Sequence, residues 1–207
     1  DISNGSSGAR MDMKLLQVRP VGEFSEDMTT TIEKASESIP NVILRSGRAL
    51  GSGYSDGMKY IVHVPSATFD SARTKDMARE ISLLNEKIKE EKASYLLIGP
   101  GRWGSSDPWL GIPVLWNEIS EARMIVETAI PGYQIEPSQG THFFQNITSL
   151  GVGYLTIDTV RGDGYIDEAL ISTLECISDG EYVKLYKAPE GMIGFIDRSS
   201  NKAIVGY

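Results

Sequence analysis

Between residues 74 and 92 apolar side chains recur at Met77, Ile81, Leu84 and Ile88, and the remaining positions are mostly Lys, Glu, Arg and Asn. That spacing of i, i+4, i+7 and i+11 is one face of a helix, with the charged face turned to solvent. Runs rich in strand formers stand on either side, "MKYIVHV" (58–64) and "SYLLIG" (94–99). A helix with one greasy stripe must bury it against another layer, and these strands supply one, so the fold class expected is α/β.

The same reading extends along the chain. "DISNGSSGAR" is polar and rich in Gly and Ser, the composition of a loop, and lacks an initiator Met, which suggests a piece cut from a longer protein. "MKLLQVR" (13–19) reads as a strand stopped by Pro20. Met28, Ile32, Ala35 and Ile39 fall at helical spacing before Pro40. Runs at 41–45 and 58–64 enclose a glycine-rich turn and are expected to form a strand-turn-strand unit. "ARMIVETAI" (122–130) fits a strand or a helix, with its Ile-Val-Thr content favouring the strand, and "VGYLTI" (152–157) is an expected strand, with a helix at 142–150 between them. "EYVKLYK", "MIGFI" and "AIVGY", separated by "APEG" and "DRSSNK" turns, read as a terminal meander.

Composition narrows the function. The chain has 207 residues, 41% hydrophobic and 23% charged, as expected of a globular domain. A net charge of −8 argues against a nucleic-acid partner, since phosphate backbones are met by excess Lys and Arg. No apolar run approaches the ~18 residues of a membrane helix, so no membrane partner is expected. The single cysteine, Cys176, forms no internal disulfide and suits a reducing, cytoplasmic setting. His63 and His142 stand far apart with no Cys pair, which gives no metal pattern. Asp163, Asp167 and Glu168 lack calcium-loop spacing, and no Gly-x-Ser-x-Gly lies between a strand and a helix, which sets a hydrolase aside.

His142, in "SQGTHFFQNITSLG" (138–151), follows Thr141, a residue able to cap the expected helix. In that first turn, unpaired N–H groups and the helix dipole favour an anion, so a phosphate carried on imidazole would be stabilised. A capped surface histidine fits the same residues. His63, sharing a face of its strand with Ile61, reads as a satisfied structural histidine. "GPGRWGSSDPW" has glycines after a strand that are able to cradle phosphate, with Arg102 as charge partner, or else to make turns while Trp103 and Trp109 pack on the core.

Four stretches occur in an order that resembles one family. Gly47, Gly53 and Gly57 precede a strand; "LLIGPGRWGSSDPWL" is a strand and a loop with Asp-Pro; "GTHFFQNITSLG" puts His142 ahead of Gly151; and "LLQVRP" (15–20) comes before all three. The order resembles the swivelling phosphohistidine domain of the phosphoenolpyruvate synthase and pyruvate phosphate dikinase family, preceded by the closing strand of its ATP-grasp domain. The resemblance implies a swivelling β/α domain over 41–158. Residues 1–22 would end the nucleotide domain, 23–40 would be a linker helix, and 159–207 a small β-rich appendage. It implies that His142 accepts the phosphoryl group, with Thr141 as the hydroxyl residue before it and Gly140 as a motif glycine. Gln17 and Arg19 would be the ATP-contacting pair. ATP and Mg²⁺ would belong to the intact parent, the ATP-grasp domain of the same polypeptide would be the donor, and a small molecule the acceptor. Phe143 and Phe144 stand where the family has small residues, Gly153 where a proline is common, and 74–92 would be an insertion.

Overall fold

The computed structural model describes residues 2–4, 11–13, 31–51, 53–130, 147, 150–159 and 161–207. Sheet and helix are mixed, with strands predominating. β1 (Ile2–Asn4) and β2 (Met11–Met13) pair antiparallel, so the opening stretch expected to be a loop contributes a strand. Residues 14–20, including the expected strand with Gln17 and Arg19, lie outside the described residues.

The main body holds two sheets. Its centre is four parallel strands, β6 (Met58–His63), β7 (Ser94–Pro100), β10 (Ala122–Thr128) and β11 (Gly153–Ile157), adjacent in that order. β4 (Arg48–Leu50) closes one edge, and β14 (Lys184–Lys187) followed by β13 (Cys176–Asp179) closes the other, all antiparallel to their neighbours. The second sheet has five antiparallel strands in the order β12 (Gly164–Ile166), β3 (Val42–Ser46), β16 (Lys202–Gly206), β15 (Ile193–Asp197), β5 (Gly53–Ser55).

Helix α2 (Thr74–Glu90) forms where the periodicity places it, and Met77, Ile81 and Ile88 pack with Val62, Leu97 and Ile125 on one face of the large sheet. The opposite face, carrying Ile61, Leu96, Ile98 and Val126, packs on Ile43, Leu44, Ala203 and Val205 of the five-stranded sheet. Strands covered on both faces carry near-continuous apolar runs, which is why 94–99 reads as it does. On the outside, Ala35 of α1 (Ile32–Glu37) and Ile39, just beyond its end, pack against Phe195 and Ile204.

The charged face of α2 is only partly solvated. Glu80 accepts from the Tyr182 and Val183 amides at 3.2 and 2.9 Å. Asn85, wholly buried, accepts from the Tyr95 hydroxyl and the Glu121 amide, both at 3.1 Å, which pins the helix to β7 and to the turn before β10. Burial also pushes the Tyr95 hydroxyl far above its ordinary range, so it stays a donor to Asn85.

Three expectations change. The runs at 41–45 and 58–64 form no common unit, because β3 enters the small sheet and β6 the large one. The terminal meander is only a hairpin of β15 and β16, since β14 leaves it to pair with β6. Residues 159–207 are no appendage, for β12 and β16 flank β3 in the five-stranded sheet. The core between the sheets needs them, since Ala203 and Val205 are buried there with Ile43 and Leu44.

At the β15–β16 turn, Asp197 accepts from the Ser199 hydroxyl and amide at 2.6 and 2.9 Å and from the Ser200 hydroxyl at 2.8 Å. The Ser199 hydroxyl foremost, then Ser200 and the turn amides, hold its carboxyl below the usual carboxylate range, against the opposing pull of burial. Because the folded pKa is depressed, the stability it contributes is complete above the unfolded-state pKa and is lost as pH falls through the folded value. Asp197→Ala is expected to cost about 1.5–3 kcal/mol at neutral pH. The deficit should shrink in urea melts taken at progressively lower pH, as the wild-type carboxyl takes up its proton.

Candidate functional site

Open parallel sheets bind ligands outside the carboxyl ends of their strands, because there the loops converge and helices present their N-termini. In this chain those ends are His63 of β6 with Val64 after it, Pro100 of β7 with Gly101 after it, Glu127 and Thr128 of β10, and Ile157 of β11 with Asp158 after it. The connection from β10 to β11, which carries Gly140, Thr141 and His142, departs from this edge at Ala129 and Ile130. Those three residues lie outside the described residues, as do Phe143, Phe144, Gln17 and Arg19. Of the expected helix at 142–150, Ile147 is described as helical and fully buried, and its carbonyl accepts from the Val152 amide at 3.1 Å.

The glycine loop after β7 is built for packing. Four successive amides are engaged: Gly101 donates to the Thr128 carbonyl at 2.9 Å, Arg102 to Leu110 at 2.7 Å, Trp103 to Glu127 Oε1 at 3.1 Å, and Gly104 to Ile112 at 2.9 Å. A phosphate cradle needs such amides free, so the reading of this backbone as a cradle is overturned. The structural reading holds for Trp103, fully buried over Gly99, where a Cβ would come within 2.6 Å of the indole. Gly111 at φ +156° lies against Arg102 where β8 (Arg102–Trp103) pairs with β9 (Gly111–Ile112), and a Cβ there would stand 2.0 Å from the Arg102 carbonyl oxygen. Trp109, expected on the core, is 56% exposed beyond the turn that Asp107 stabilises by accepting from the Trp109 amide at 3.0 Å. Arg102 is half-buried.

Under Trp103 sits a buried carboxylate. Glu127 is 3% exposed; besides the Trp103 amide it accepts a short hydrogen bond from the Tyr154 hydroxyl of β11, itself buried. The Trp103 indole N–H donates to the Val126 carbonyl at 3.0 Å, fixing the loop from a second side. Glu127 was legible as the one charge inside the apolar run "MIVETAI", a signal that the sequence reading passed over. Tyr154 carried none.

Among the described residues two buried side-chain polar atoms have no hydrogen-bond partner, His63 Nδ1 and Thr128 Oγ1. Both belong to the carboxyl ends of parallel strands. His63, 97% buried, has Nε2 3.4 Å from Glu168 Oε1 on α3 (Glu168–Ser172), so the expected satisfied histidine is satisfied on one nitrogen only. Orphaned buried polar atoms are rare enough that two on one sheet edge mark it as a place where polarity is kept for a reason.

No helix among the described residues is long and apolar enough to cross a membrane. Comparison with family models, curated proteins and solved structures gives no match to this chain.

Proposed function

We propose that the chain serves as the phosphohistidine carrier of a phosphotransferase similar to phosphoenolpyruvate synthase and pyruvate phosphate dikinase, in a divergent swivelling domain. His142 takes a phosphoryl group from ATP held by an ATP-grasp domain of the same polypeptide and hands it to a small-molecule acceptor. In the first step an imidazole nitrogen lone pair forms the P–N bond as the P–O bond to the departing nucleotide breaks. In the second, an acceptor oxygen attacks phosphorus and the imidazole leaves with its electron pair. Neutral imidazole near pH 7 is both nucleophile and leaving group, which suits a relay.

The observation that supports this reading is topological. The connection bearing Gly140, Thr141 and His142 departs from the carboxyl edge of a parallel sheet, beside buried Glu127 and the orphan Thr128 hydroxyl. Gln17 and Arg19 would contact ATP in the donor domain, and Arg102 is the cation of the neighbouring loop. The Mg²⁺ that accompanies ATP would belong to the nucleotide domain of the intact polypeptide.

The test is labelling of the intact polypeptide with radioactive ATP. A base-stable, acid-labile label is expected, abolished by His142→Ala and kept by His63→Gln. Label surviving His142→Ala would overturn the assignment. No label in the wild type with any nucleotide, but label in Phe143→Ala/Phe144→Ala, would instead favour a non-catalytic interaction domain that retains the carrier fold.

A further inference from the structure

Helix α2 departs from its amphipathic pattern along one row, Lys75, Arg79 and Leu83, at i, i+4 and i+8. Leu83 stands on the solvent side and is 60% exposed, so its burial contributes nothing to the core that Met77, Ile81 and Ile88 build. Lys75 and Arg79, both exposed, are like charges at the spacing where they repel and destabilise a helix. Asp76, beside Lys75 in the chain, is taken by Arg73 at 2.7 Å.

Across from this row the chain goes against local preference again. Leu115 opens the short 3₁₀ helix Trp116–Ile119 at the position where helical turns favour a polar cap, and it is 63% exposed. Lys75, Arg79, Leu83 and Leu115 line one cleft of about 430 Å³ between α2 and the segment after β9. Glu118, the acid of that lining, is engaged by its own turn, where Oε2 accepts from the Leu115 amide at 2.7 Å. A single exposed leucine needs no explanation. Two of them facing one cleft with a like-charged pair are three local costs in one place, and sequences accept such costs chiefly where they serve a function.

We infer that this cleft docks a short acidic segment of a partner protein. One apolar side chain of the segment lies between Leu83 and Leu115, and its carboxylates meet Lys75 and Arg79, so a single occupant relieves all three costs. The row from Lys75 to Leu83 runs about 12 Å along the helix, a length that an extended segment of about four residues spans. A nucleic acid would answer the two cations but not the leucines, and it is repelled by a chain of net charge −8. The docking uses none of the residues assigned to the phosphoryl relay.

The test is selection of a random library of 12-residue peptides, displayed on phage, against the full chain, with the enriched peptides synthesised and titrated by fluorescence polarisation. Enriched peptides are expected to share an apolar residue flanked by Asp or Glu and to bind more weakly as salt rises. Leu83→Ser/Leu115→Ser should weaken them at least tenfold, and Lys75→Glu/Arg79→Glu should turn the preference toward Lys and Arg peptides. All four residues are exposed, so both double variants are expected to melt like the wild type. Enrichment of no peptide, or of peptides whose binding neither double variant alters, overturns the proposal. So does enrichment of purely apolar or basic peptides that the leucine variant abolishes, because the cations then play no part. Self-association of the chain in sedimentation, lost in the leucine variant, would make a second copy the occupant and overturns it equally.

Discussion

Trp103→Ala is expected to lower unfolding stability by about 3–5 kcal/mol, as other deletions of wholly buried aromatic side chains do. The indole has no exposed surface to lose cheaply; it fills the space above Gly99, and its N–H is paired to the Val126 carbonyl. Removal opens a cavity and leaves that carbonyl one donor short. Trp109→Ala, six residues on and half exposed, is expected to cost less than about 1 kcal/mol. Gly99 supplies an internal check. Gly99→Ala drives a methyl into the ring and is expected to cost about 1–3 kcal/mol alone, but clearly less in the Trp103→Ala background, where the ring is gone and the Val64 Cβ, at 3.3 Å, is the close contact left. Urea melts of the four combinations measure this coupling. Additive costs would show that the close approach of the two residues is not what sets either one.

The contrast between those tryptophans shows where the sequence is informative. Met77, Ile81, Leu84 and Ile88 announce α2 because a helix with one buried face must keep a period. The parallel strands are legible as apolar runs for the same physical reason. Their partners are not, because a strand buried on both faces, such as β6 with Ile61 and Val62, has no alternation to say which sheet it joins. β3 and β6 therefore look like one unit and sit in two sheets. The loop after β7 misleads for a related reason. Glycine-rich composition is the same whether the amides point at a phosphate or at protein acceptors. Here the acceptors are Leu110, Ile112, Thr128 and Glu127, which are distant in sequence from one or another of their donors. Of the candidate site, the part argued from "GTH" lies outside the described residues, while Glu127 and Tyr154 meet only through the β10–β11 register, which pairs Glu127 with Thr156.

That register makes Glu127 the position where stability and function are separable by experiment. Glu127→Leu keeps the volume but takes the carboxylate acceptor away from the Trp103 amide and the Tyr154 hydroxyl, and each such loss costs about 1–3 kcal/mol. A loss of about 2–6 kcal/mol is therefore expected, among the largest of any single change on this sheet. Tyr154→Phe alone takes one donor from the carboxylate and should cost about 1.5–3 kcal/mol. In the double variant the hydroxyl that bonded the carboxylate has gone with it, and an apolar pair replaces a buried charged one, an exchange that is often neutral or favourable. The double variant is thus expected to be more stable than Glu127→Leu, so the two losses should not add. A double variant no more stable than Glu127→Leu would show that the hydroxyl is not what the missing carboxylate leaves unsatisfied. The recovered fold then permits a cleaner question than either single change. If Glu127 serves only to hold Trp103 and Tyr154, a stable double variant should take up the acid-labile label proposed for His142 at the wild-type rate. If the carboxylate orders the edge from which the His142 connection departs, the variant should melt normally and label at least tenfold more slowly, a factor equivalent to about 1.4 kcal/mol in the barrier.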